Sequence, residues 1–414
     1  MLNIIDIFAG AGGLSEGFRN NNFNFILHAE MNKNACDTLK TREAYYYLKS
    51  VNKLDIYKAY LLGEIDKQVF YDKIPQSYLS KIFNIEISED TINFLYKVID
   101  EKLNGKKLNG IVGGPPCQAF STIGRHMNES KKNTDKRVYL YQYYFKLLER
   151  YEPDFFVFEN VKGLLSFKDG KDELLLPKIE SLFKSIGYKI YRKVINSSEY
   201  GVPQNRERLF IVGFKKEINN KDFFDELTKF KENSVTIREL FNDLPFITAG
   251  QVLNQYNVNT PSFFVKKYIR KNDLPLTWNI ARPHNQKDLK IYKIVANAKI
   301  NNIFIKYYDL PKELQSHKNK NSFIDRFKSI KYDGYSHTIV SHISKDGHYY
   351  IHPDSKQNRS LSVREAARIQ TFTDDFYFEG SRTDVFIQIG NAVPPLLAKK
   401  LALGISDFIY KNNF

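Results

Sequence analysis

The first half of the chain alternates short apolar runs with longer stretches of helical period. Residues 4–8 (Ile4-Ile5-Asp6-Ile7-Phe8) have strand length and lead into glycines and a helical stretch at 15–19. Residues 25–30, 110–112 and 155–158 repeat the strand signature, and 188–195 and 209–214 add two more strands. Helical patterns at 32–40, 139–150 and 172–186 fall between them. The alternation predicts an α/β fold, with a mostly parallel sheet covered by helices on both faces. Residues 41–108 are longer than one crossover requires. Their tyrosines, lysines and isoleucines read as a helical insertion in the sheet domain.

Near residue 216 the texture changes. Asn, Lys, Tyr and Pro interrupt the pattern to about 352, without an internal repeat. The predicted organisation is a sheet domain over 1–215, a smaller irregular domain over 216–385, and a C-terminal segment, 386–414, that returns to the sheet domain. Ser362-Val363-Arg364-Glu365 has the spacing of a capping box and predicts a helix through 370. Residues 394–410 predict an amphipathic helix opened by two prolines.

Composition narrows the function classes. A chain of 414 residues can bury the cores of two domains. Its net charge of +15 suits a polyanionic partner, although solubility alone would also account for it. The chain has no run of roughly 18 apolar residues such as a membrane span needs. Its first residues lack the basic flank and apolar core of a signal peptide, so a cytoplasmic location is expected. Cys36 and Cys117 are the only cysteines, too few for a disulfide framework and without zinc-ligand spacing, so no metal is expected. Cys36 falls in a predicted helix and reads as a small buried apolar residue.

Four motifs carry chemistry. Asp6-Ile7-Phe8-Ala9-Gly10-Ala11-Gly12-Gly13 follows the first predicted strand and precedes a helix, and Glu30 ends the second strand. A glycine turn with an acid about twenty residues on suits an adenosine-containing ligand, nicotinamide and flavin cofactors included. Gly113-Gly114-Pro115-Pro116-Cys117-Gln118 follows the strand at 110–112. Ligands in such sheets sit beyond the carboxyl ends of the strands, and two prolines restrict how the thiol is presented. Glu159-Asn160-Val161 ends the next apolar strand, where burial could keep the carboxyl group protonated. Gln204-Asn205-Arg206-Glu207-Arg208 precedes the last strand, and alternation predicts Arg206 and Arg208 on one face.

Together with Arg364-Glu365-Ala366-Ala367-Arg368-Ile369-Gln370 and Gly390-Asn391-Ala392-Val393-Pro394, these motifs resemble the cytosine-5 DNA methyltransferase family of bacterial restriction-modification type, in order and spacing over nearly the whole chain. The resemblance implies a Rossmann-like, S-adenosylmethionine-dependent sheet domain with a smaller target-recognition domain. It implies that Cys117 is the nucleophile, that Glu159 bonds the cytosine ring, and that Arg208 holds the ring oxygen with Arg206 in support. For S-adenosyl-L-methionine it implies a pocket of Phe8, Ala9, Gly10, Gly12, Gly13, Leu14, Glu30, Met31, Gly114, Pro116, Asn391, Ala392 and Val393. An acid near a third strand is also implied, with Glu86 the candidate and Asp55 its competitor.

The same resemblance implies double-stranded DNA as substrate, with the target base flipped out of the helix. Residues 119–137 are similar to the family's loop that closes over DNA, making Ser121, Arg125 and Arg137 candidate contacts. Residues 246–352 occupy the place of target recognition, where Arg282 is a candidate reader of bases. A monomer is expected, and a cognate restriction endonuclease is an expected functional partner. The alternative within the family is a tRNA cytosine-5 methyltransferase.

Overall fold

The structure is a computed structural model that describes residues 1–20, 22–116, 120, 136–215, 222–315 and 324–411. Its centre is a seven-stranded sheet in the order β3-β2-β1-β4-β5-β8-β6. The strands are β1 (Leu2–Ile7), β2 (Phe23–Glu30), β3 (Ile82–Asn84), β4 (Gly110–Gly113), β5 (Phe155–Val161), β6 (Lys189–Asn196) and β8 (Glu207–Phe214). Only β8 runs antiparallel to its neighbours β5 and β6. The chain builds outward from β1 through β2 to β3, then crosses back to β4 on the other side of β1. That reversal opens a crevice at the carboxyl ends of β1 and β4, the usual ligand position in an open α/β sheet.

Strand alternation sends successive apolar side chains to opposite faces. Ile4, Phe155 and Val157 join one core, with Leu14 of α1 (Gly13–Gly17) and Phe18 at its C-terminal cap. Ile5, Phe156 and Phe158 join the other, with Leu95 and Ile99 from the helix Ile92–Leu103 and Tyr144 and Leu148 from the helix Tyr141–Tyr151. The C-terminal helix Pro395–Lys411 returns to α1. A Cβ on Gly17 would lie 2.3 Å from the carbonyl carbon of Ala398, so the two helices meet at a glycine.

Residues 41–108 depart from the expected insertion, because they include β3, the edge strand of the sheet. Three residues of strand gave too short an apolar run to separate from helix. The helix begun at Asn32 also continues to Ser50. The helices Leu54–Leu61 and Lys67–Asp72 that follow form an aromatic cluster around Tyr45, Tyr57 and Phe70. Hydrogen bonds from Tyr45 Oη to Asp375 (2.7 Å) and from Tyr60 Oη to Glu379 (2.7 Å) fasten this cluster to the later part of the chain.

The irregular region has its own apolar cluster, in which Tyr292 and Val295 of the helix Gln286–Ile300 pack with Tyr307, Phe327 and Ile351. The short strands β7 (Gln204–Asn205) and β9 (Ser336–His337) pair in parallel and join it to the sheet. The predicted capping box is present: Ser362 accepts from the Glu365 amide, and the helix runs Val363–Ile369. Three arginines here are fully buried and neutralised within the protein. Arg359 pairs with Glu365 (2.7 Å), Arg368 with Asp243 and Asp374 (2.6 Å each), and Arg364 bonds Thr277 and the carbonyls of Thr373 and Phe376. The Arg364–Gln370 motif is therefore a frame of buried charge-assisted bonds. Among the described residues, no helix is long and apolar enough to cross a membrane.

Candidate active site

The glycine loop leaves β1 with Phe8 in the left-handed region (φ 57°), a conformation costly for an aromatic residue and one that diverts the chain sharply out of the sheet. Gly10 (φ 55°) has nothing within 4 Å of where a Cβ would stand, so the loop faces open space there. Gly13 is tightly enclosed: a Cβ would lie 2.3 Å from the Val393 carbonyl oxygen and 2.9 Å from the Ala392 side chain. The 391–393 segment thus rests directly on the loop, with Asn391 exposed beside it. Leu14, in the first turn of α1, has its side chain buried in the core beneath that helix.

Glu30 closes the loop from the end of β2. Its Oε2 accepts from the Gly10 amide (2.8 Å) and its Oε1 from the Asn32 amide (2.7 Å), so one carboxylate fixes both the glycine turn and the start of the next helix. Burial raises its pKa while these backbone bonds oppose the rise. Asn84, in register with Glu30 on β3, donates to the carbonyls of Glu30 (3.1 Å) and Met31 (2.8 Å). Met31 is exposed, and Glu86 is exposed just beyond β3 at the same sheet edge. Asp55 lies in the first turn of the helix Leu54–Leu61.

On the other side of β1, Gly113 pairs with Ile7 and Phe158, which aligns the ends of β1, β4 and β5. A Cβ on Gly114 would lie 2.7 Å from Glu159 Oε2, so only glycine lets the two strand ends approach this closely. Asn160 is fully buried and donates to the Pro115 carbonyl (3.3 Å), which ties the end of β5 to the proline loop. Pro116 is half-buried at the end of that tied segment. Cys117, Ser121 and Arg125 lie outside the described residues, while Arg137 lies in the turn before the helix Tyr141–Tyr151.

Arg208 Nε lies 3.1 Å from Glu159 Oε1, with both side chains about nine-tenths buried. Burial pushes the Glu159 carboxyl upward in pKa, and the guanidinium groups of Arg208 and Arg206 pull it back. The two arginines do not share a face. Arg206 falls between β7 and β8, fully buried, and donates to the carbonyls of Ile339 (2.6 Å) and Gly390 (3.2 Å). The break between the strands defeats the alternation argument, and the Arg206 guanidinium is turned to backbone carbonyls inside the protein.

Gln204 works alongside it. Its Nε2 donates to Gln370 Oε1 (2.7 Å), and Gln370 Nε2 donates to the carbonyls of Ile389 (2.6 Å) and Ala392 (3.2 Å). Gln204 and Gln370 thereby connect the arginine motif to the segment resting on the glycine loop. They stand inside motifs visible in the sequence, but the two glutamines lie 166 residues apart.

The Arg282 guanidinium donates to the carbonyls of Lys345 (2.6 Å), Ser344 (2.7 Å) and Ile343 (3.4 Å) and so braces the turn that carries them. Arg282→Ala should lower stability by about 1–3 kcal/mol through unsatisfied carbonyls, measured by thermal melts, and leave base preference unchanged.

The C-5 cytosine-specific DNA methylase family model matches residues 2–69 and 57–407. Type II methyltransferase M.Bpa9945I of Bacillus paralicheniformis is 38% identical over 442 aligned positions, covering 98% of this chain and 99% of the relative. Type II methyltransferase M.DdeI of Desulfomicrobium norvegicum is 29% identical, covering 100% and 90%. A solved structure of a candidate DNA modification methyltransferase encoded within an E. coli prophage superimposes with a TM-score of 0.63 at 22% identity, covering 99% of this chain and 100% of the other. That likeness supports the Rossmann-like fold already described. With the family match spanning nearly every described element, the chain belongs to the C-5 cytosine-specific DNA methylases.

Proposed function

We propose that this enzyme transfers a methyl group from S-adenosyl-L-methionine to carbon 5 of a flipped-out cytosine in a specific duplex sequence. The observation that carries this reading is the meeting of Gly114, Glu159 and Arg208 at the carboxyl ends of β4 and β5, beside the glycine loop. The cofactor fits what stands there. Gly10 fronts open space, the Glu30 carboxylate lies at the end of the adjoining strand, and the 391–393 segment closes the side of the loop. When bound, S-adenosyl-L-methionine supplies the electrophilic methyl group. Phe8 would stack on its adenine, Glu30 would bond its ribose, and Met31, Glu86, Gly114, Pro116 and Asn391 would border it.

Carbon 5 of cytosine is too weak a nucleophile until the ring is activated. The thiolate of Cys117 adds to carbon 6, and its electron pair makes carbon 5 an enamine carbon. Glu159 donates a hydrogen bond to ring nitrogen 3, where negative charge accumulates, and Arg208 holds the ring oxygen. Once carbon 5 carries the methyl group, a base takes its proton and the thiolate leaves. Arg206 and Asn160 hold these groups in place without meeting the substrate.

The relatives' names as Type II methyltransferases support a role in protecting a site against a cognate restriction endonuclease. We read the enzyme as a cytoplasmic monomer. The direct test is transfer of tritiated methyl groups from labelled cofactor into duplex DNA and, in parallel, into tRNA. Incorporation confined to tRNA would overturn the reading. Glu30→Ala should weaken cofactor binding by about 1.5–3 kcal/mol, the scale of a hydrogen bond to a charged group, with little change in DNA binding. Calorimetry showing unchanged cofactor affinity would remove Glu30 from the pocket.

A further inference from the structure

The helix Gln286–Ile300 buries one face and leaves the other exposed. Ile291, Tyr292, Val295 and Ala296 pack into the local core. Gln286, Lys290, Lys293 and Asn297 are all exposed, at spacings of i, i+4, i+7 and i+11. These spacings place them in one stripe about 16 Å long, from a rise of about 1.5 Å per residue. Among the described residues, none of the four has a side-chain hydrogen bond or an ion pair. The helix's one acid, Asp288, is off the stripe and is held by Asn285 Nδ2 (2.8 Å).

Several cations on other helices are paired with acids. Lys146 pairs with Glu89 (2.7 Å), Arg150 with Asp100 (2.8 Å) and Lys178 with Asp169 (2.6 Å). The 286–300 stripe is positive, carries no acid, and is flanked by two carboxamides. Lysines of this kind neutralise phosphates, while Asn and Gln offer the paired donor and acceptor that match the edge of adenine in the major groove.

The helix is also fixed relative to the active site. Tyr292 Oη meets His348 Nδ1 at 2.7 Å, and the ring of the adjacent Tyr349 packs against His337 of β9 at 5.1 Å. β9 pairs with β7, directly before Arg206. The stripe is thus connected through packed side chains to the short strand that precedes Arg206.

We propose that this helix face docks in the major groove of the target duplex, with Gln286 and Asn297 reading bases and Lys290 and Lys293 holding phosphates. The proposal rests on assigning target recognition to residues 246–352. It is tested on the full-length enzyme with Gln286→Ala, Asn297→Ala and the double variant Lys290→Ala/Lys293→Ala. Unchanged S-adenosyl-L-methionine binding certifies that each variant is folded. The methylated site is identified by sequencing DNA from a host lacking cytosine methylation.

Each carboxamide variant should lose roughly ten- to a hundredfold in turnover on its own site and accept substitutions at one position. The double lysine variant should weaken binding on all duplexes and lower the salt slope by about 2, one for each phosphate contact. If the variants keep site, turnover and salt slope, or if the carboxamide changes weaken every sequence equally, the proposal is overturned. A graft of residues 246–352 into a relative of known target separates the two levels. If an active graft carries the new site and the carboxamide changes leave it intact, the helix proposal falls alone. If the active graft keeps the recipient's site, the regional assignment falls and the helix proposal with it.

Discussion

Cys117→Ser is expected to abolish methyl transfer while leaving cofactor binding intact. A hydroxyl group at neutral pH is a far weaker nucleophile than a thiolate, so the ring would not be activated at carbon 5. The cofactor contacts assigned above belong to other residues, so its affinity should be unaffected. Two measurements check this. The first is transfer of labelled methyl groups to duplex DNA, where near-wild-type turnover by the serine variant would refute covalent activation. The second is incubation of the wild type with DNA containing 5-fluorocytosine. Fluorine on carbon 5 cannot leave as a proton does, so the enzyme should remain covalently bound, and the serine variant should not.

Glu159→Gln is expected to lower kcat by about 10²–10⁴-fold, the scale of a lost general acid. The geometry makes the change selective, because an amide can fill the space beside Gly114 and still face Arg208, but it cannot supply a carboxylic proton. Burial raises the Glu159 pKa, and the arginines oppose that shift. If the protonated carboxyl is the active form, wild-type activity should decline as pH rises through this raised pKa. The glutamine variant should lack that limb of the profile. A variant with wild-type kcat and the same pH profile would exclude Glu159 from the chemistry. A raised KM with kcat unchanged would assign it to binding alone.

The contrast between Arg206 and Arg208 shows where sequence reasoning stops. Both stand in one motif, two residues apart, and strand alternation puts them on one face. In the structure β7 ends at Asn205 and β8 begins at Glu207, so Arg206 lies outside both strands. Its guanidinium turns inward to the carbonyls of Ile339 and Gly390, while Arg208 reaches Glu159. A regular period predicts a direction only while the backbone remains regular. Arg282 carries a related lesson: its charge suggested DNA, but its guanidinium donates to three nearby carbonyls.

Local physics was enough to determine much of this protein from sequence. Apolar runs bounded by glycine and proline identified β1, β2, β4 and β5, because strands buried on both faces are continuous in hydrophobicity. The serine and glutamate of the capping box located the helix Val363–Ile369, because both partners lie within one turn. The order of motifs identified the family. Tertiary structure decided what depends on distant partners: that β3 completes the sheet edge, that Asn160 holds Pro115, and that Gln204 and Gln370 link the arginine motif to the segment beside Gly13. It also decided that the arginines of the Arg364–Gln370 motif are buried against carbonyls and carboxylates. A charged side chain's destination depends on which groups remain unpaired once the chain has folded, and that accounting is made across the whole molecule.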